Sequence, residues 1–157
     1  MKQVAILTTI LVTVSGCSST NNPVSPITDT INSDNLQVTF SIPRPSYGMH
    51  DTLTATTTAY NPESDTVSFV VPCCWPILWY LVRDSSGTTR LSYSAPKDLG
   101  CNCAAEFSIP PHQSERVPLL DVIVPIGELG KTENAQGSYI LTVDNIFGTF
   151  SLRFAVN

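Results

Sequence analysis

The chain has 157 residues, of which eight are basic and 13 acidic, for a net charge of −5 at neutral pH. That balance excludes a nucleic-acid binder, since phosphate attraction dominates such affinity and no basic run is present. The length excludes more than one ordinary domain once the N-terminal segments below are set aside.

The first element reads as an export signal. Lys2 gives it a positive start, and Val4 to Val14 is apolar, broken only by threonines. Small residues follow at Ser15 and Gly16. The apolar run is too short to cross ~30 Å of hydrocarbon, which needs about 20 residues. Val14-Ser15-Gly16-Cys17 resembles a bacterial lipobox. The resemblance implies that residues 1–16 are a cleaved lipoprotein signal peptide. It also implies that Cys17 becomes the N-terminus and carries covalent acyl chains. The protein is then expected outside the cytoplasm, lipid-anchored to the cell envelope. One chain anchors weakly; lipoproteins carry several, which implies a stable anchor. Ser18, where an aspartate usually retains lipoproteins at the inner membrane, favours the outer membrane in a cell that has one.

Residues 17–35 read as the lipidated N-terminus and a disordered tether. Ser, Thr and Asn abound there, with Pro23 and Pro26, and little can be buried. Residues 36–157 read as one folded domain, and strand patterns run through it. Leu36, Val38, Phe40 and Ile42 share one face of an alternating run. Leu53, Ala55, Thr57 and Ala59 do the same in a threonine-rich run from Asp51 to Tyr60. Asn61-Pro-Glu-Ser-Asp65 is a turn by composition. Thr66 to Val71, Ile77 to Val82 and Thr88 to Tyr93 are the next strands, the last two joined at Asp84-Ser-Ser-Gly87. Glu106 to Ile109 is short. Glu115 to Val124 reads as one strand, placed at an edge by Pro118. Gly137 to Val143 and Thr149 to Val156 form the last pair. About 7–9 short strands with frequent turns predict an all-β, immunoglobulin-like antiparallel sandwich.

The order of these motifs carries a second resemblance. Leu53 to Phe69, with Asn61 at its turn, resembles the strand–Asn–turn–strand opening of bacterial Ig-like surface modules. Val82-Arg-Asp-Ser-Ser-Gly87 resembles their central hairpin. Ile109 to Glu115 sits where they carry a Pro-Gly turn, replaced here by Pro111-His112. Gly137-Ser-Tyr139 resembles their "G-x-Y" strand. Together these resemble the BsuPI type of proteinase-inhibitor domain. The resemblance implies the sandwich and, as one reading of activity, proteinase inhibition. No inhibitory loop motif is present to transfer.

Four further cysteines, Cys73, Cys74, Cys101 and Cys103, read first as two disulfides in an oxidising compartment. Three connectivities exist. Bonding the adjacent pair would strain the backbone, and a Cys101–Cys103 ring is tight, so cross-pairing of the two segments is favoured. The alternatives are a thiolate metal site, although zinc usually takes C-x2-C spacing, and redox exchange, which would need a C-x-x-C at a helix start. Trp75 and Trp79 lie beside the cysteines; Trp79 is expected in the core, whereas Trp75 is a candidate binding residue in a loop. His50 and His112 read as solvated turn residues. No serine elbow, EF-hand spacing or phosphate-cradling loop is present.

The chain is therefore expected to be a non-catalytic binding or structural module and not an enzyme. Beyond the lipid on Cys17 no cofactor is expected. Its partners would be the membrane and an envelope protein or a proteinase. A proteinase inhibitor and a metal-handling protein are the alternatives.

Overall fold

The computed structural model describes residues 24–72, 78–94, 104–130 and 135–157. Its strands, in chain order, are β1 (Ile27–Ser33), β2 (Leu36–Ile42), β3 (Ser46–Tyr47), β4 (Thr52–Tyr60), β5 (Val67–Pro72) and β6 (Leu78–Asp84). They continue with β7 (Thr89–Ser94), β8 (Ala104–Ile109), β9 (Ser114–Arg116), β10 (Val122–Pro125), β11 (Gly137–Asn145) and β12 (Gly148–Val156).

Period-two alternation builds two facing sheets. The first runs β1-β2-β4-β10, with β9 also on β4. The second runs β3-β12-β11-β6-β7. All pairings within them are antiparallel except the short β3–β12 contact. β5 and β8 form a separate two-stranded ribbon. The inward faces of β2 and β4 are Leu36, Val38, Phe40 and Ile42, then Leu53, Ala55, Thr57 and Ala59, as alternation predicts. Opposite them lie Leu141, Val143, Phe150, Leu152 and Phe154. The Phe40 and Phe150 rings meet across the sandwich at 5.6 Å between centroids. The domain is an immunoglobulin-like β-sandwich.

Tyr139 gives that architecture a recognisable corner. It lies near the start of β11, and its hydroxyl donates to the Ala135 carbonyl at 2.6 Å. Such a tyrosine corner, with the ring buried and the hydroxyl bonded a few residues upstream, recurs in sandwich folds. The Gly137-Ser-Tyr139 motif thus has a structural role.

Three expectations need correction. The tether reading fails for Ile27–Ser33, which is β1 and pairs along its whole length with β2. Asp34 and Asn35 form the two-residue hairpin between them, both at positive φ (48° and 65°). That is the turn geometry that Asn and Asp tolerate best and that matches strand twist. The expected strand from Glu115 to Val124 is divided. β9 and β10 pair with different stretches of β4, and Pro118 opens a 3-10 turn, Pro118–Leu120, between them. Proline has no N–H for a ladder and suits the first position of a helical turn. Trp79 is not a core residue: it points outward and is 37% exposed, while its neighbour Tyr80 faces inward.

Candidate binding surface

The polar groups that the motifs bring together serve the scaffold. Asn61 is fully buried; its Nδ2 donates to the Asp65 and Ile109 carbonyls, both at 2.8 Å, and its Oδ1 accepts from Glu63 N–H. Its backbone bonds both His112 and Gln113. One side chain therefore ties the β4–β5 turn to the end of β8. Thr57, also buried, donates its hydroxyl to the Leu120 carbonyl and its N–H to Asp121. Asp121 in turn accepts from Arg116, so the proline-interrupted edge is stapled to β4. Asp84 accepts from the Ser86 hydroxyl at 2.6 Å, from the Ser86 and Thr88 amides, and from Arg90 at 2.7 Å. The Ser86 hydroxyl first, with Arg90 and the amides, lowers its carboxyl to about 2.

His50 and His112 are exposed turn residues, and His112 adopts a positive φ of 56°. Among the described residues no three His, Cys, Asp or Glu side chains converge as metal ligands. Cys17, Cys73, Cys74, Trp75, Cys101 and Cys103 lie outside the described residues. Their flanks are described. Pro72 and Ala104 are register partners at the end of the β5–β8 ribbon, and Trp79 and Ser94 are partners on β6 and β7. The residue before segment 73–77 is therefore held beside the residue after segment 95–103.

An aromatic cleft lies at the edge of the sandwich where β7 faces β10. Tyr80 and Tyr93 stack at 5.3 Å between centroids, tilted 20°. The Tyr80 hydroxyl donates to the Ile123 carbonyl at 3.2 Å, linking the two sheets. Burial, and then the neighbouring Tyr93, raise the Tyr80 phenol above its ordinary value. Tyr93 is 44% exposed because the opposing sheet ends at β10. A cleft of about 210 Å³ lies there between Leu78, Tyr93, Asp121 and Ile123.

No protein-family model matches the chain, and no curated protein matches it. The matches among solved structures are distant. A β-glucosidase from Erythrobacter marinus is 14% identical, with a TM-score of 0.41, over 83% of this chain and 16% of its own. A β-glucosidase from Listeria innocua in complex with laminaribiose is 11% identical, also at 0.41, over 78% of this chain and 16% of its own. An alkylpurine DNA glycosylase from Pseudomonas fluorescens is 9% identical, at 0.41, over 74% of this chain and 28% of its own. The chain thus spans about a sixth of the glucosidases, and likeness at this level carries no argument about activity.

On the outer face of the second sheet, Arg83, Ile140 and Arg153 form one row across β6, β11 and β12. The next row is Leu81, Thr142 and Ser151, and the third is Trp79, Asp144 and Thr149. Beside the arginine row a groove of about 410 Å³ is lined by Pro45, Ser85, Ser138, Ile140 and Arg153, among others. The alternation of β11 and β12 already encoded which of their residues face outward, whereas the apolar run of β6, with Tyr80, Leu81 and Val82 all buried, did not. What sequence reading missed was that Arg83 and Arg153 come into one row.

Proposed function

We propose that the protein is an envelope lipoprotein, anchored through acyl chains on Cys17, whose sandwich is a non-catalytic binding and structural module. The observation that carries this reading is Val14-Ser15-Gly16-Cys17 at the end of a short apolar segment that starts with Lys2. The site chemistry supports the second half. Asn61, Thr57, Asp84 and Asp121 are bonded to backbone or to arginine, and groups committed in this way hold a scaffold together. Function on such scaffolds resides on their faces and end loops. In an exported protein, the four remaining cysteines are two disulfides. The register partnership of Pro72 with Ala104 favours links between Cys73 or Cys74 and Cys101 or Cys103.

Metabolic labelling with a radioactive fatty acid, followed by membrane fractionation, tests the anchor. The parent chain should incorporate label and sediment with membranes; Cys17→Ala should lose the label and, as a mature-length chain, become soluble. Unlabelled parent protein would end the lipoprotein reading.

A further inference from the structure

The described residues contain five arginines and no lysine. Three are neutralised: Arg44 by Asp51, Arg90 by Asp84 and Arg116 by Asp121. Arg83 and Arg153 have no ion-pair partner among the described residues, and both are exposed. These two lie in one row on one face, each the register partner of Ile140. Two strand spacings separate them, about 10 Å. Among the described residues, the uncompensated arginines thus share one face, in a chain whose net charge is −5.

We infer that this outer face binds an anionic polysaccharide, with Arg83 and Arg153 taking acidic groups along its chain. A guanidinium offers a planar fork of donors that matches carboxylate or phosphate in two parallel bonds. The separation of the pair suits charges repeated along an extended polymer better than a single small anion. The rest of the face fits sugars. Thr142 and Ser151 present hydroxyls in the neighbouring row, and Trp79, 37% exposed, presents an apolar ring of the kind that packs on sugar C–H groups. β6 and β11 have ladder partners on both sides, so an added peptide strand has no open ladder to join at the centre of this face. Asp144, the register partner of Trp79, lies in the third row, where the Thr149 hydroxyl donates to its carboxylate. This inference names the ligand class for the module proposed above. It does not depend on the anchor, so an anchored protein that ignores the polymer overturns this inference alone.

Affinity electrophoresis of the full chain in nonionic detergent tests it, in gels cast with polygalacturonate or with neutral dextran. At low ionic strength polygalacturonate should retard the protein and dextran should not. Arg83→Gln and Arg153→Gln should each weaken retardation roughly tenfold, the scale of one charged hydrogen bond. The double variant should lose it, and Trp79→Ala should weaken it. Arg116→Gln changes net charge equally, on an arginine already paired, and should leave retardation unchanged. Because both arginines are exposed, thermal melting of the variants should match the parent. No retardation of the parent, or equal retardation of the double variant, would overturn the proposal. So would tighter binding to poly-glutamate, which would indicate a peptide, or Arg83- and Arg153-dependent binding to phosphatidylglycerol vesicles without binding to the polymer, which would indicate lipid headgroups.

Discussion

Asn61 shows how much one side chain can hold. From a fully buried position it satisfies two carbonyls and one amide, the bond to Ile109 being buried at both ends. Asn61→Ala leaves those groups unpaired, and each buried unpaired group costs about 1–3 kcal/mol. A loss of about 3 kcal/mol is expected, read as a lower urea midpoint with an unchanged slope. Asp84 makes a pH-dependent contribution. Its folded carboxyl is held at about 2, below the ordinary value of 3.8. The stabilisation is therefore complete above the ordinary carboxylate range and disappears as pH falls through about 2. Asp84→Asn should lower the melting temperature at neutral pH, and the gap to the parent should close in strong acid. Both residues stood out in the sequence as turn formers, because short polar side chains bond their own local backbone. Their partners were not legible. Ile109 is distant in sequence from Asn61, and only the folded register brings its carbonyl there.

At the level of elements, strands with one strongly apolar face were legible. β2 and β4 match their expected faces residue for residue. β1 was hidden because its inward positions, Ile27, Asp29, Ile31 and Ser33, are only half-buried and include an aspartate and a serine. Composition suggested a tether, whereas Asp34-Asn35, a hairpin turn pair, was the available signal. β1 packs against the turn at Gly148, whose φ is +139° and whose added Cβ would lie 2.9 Å from Ile31 Cδ1. Gly148→Ala should loosen this docking and cost about 1–3 kcal/mol of backbone strain. Faster amide exchange in β1 and at Ser151 is the readout. Combining it with Ile31→Ala should remove the steric part and leave the strain. Trp79 shows the opposite error: its position beside the cysteines suggested a core role, but parity with Tyr80 and Val82 on the same strand places it outside.

For the whole molecule, the sandwich class was legible because many short alternating runs have few other ways to bury their faces. The pairing of charges was not, since it depends on which strands become neighbours. Intact protein under non-reducing conditions should have a mass lower by four hydrogens than after reduction. Loops of about 30 residues closed by each bond should stabilise by about 3–4 kcal/mol. Cys74→Ala should therefore lower the melting temperature while leaving membrane attachment unchanged; four free thiols in the purified protein would refute the pairing. Along the outer edge of β12, Ala155 N–H donates to Pro45, Asn157 N–H to Tyr47, and Ser151 N–H to Asp29 Oδ2 at 2.7 Å. An uncapped sheet edge recruits strands from other molecules. The Asp29 carboxylate acts here as a chain terminator: it occupies the Ser151 N–H that a strand of a second copy would otherwise take.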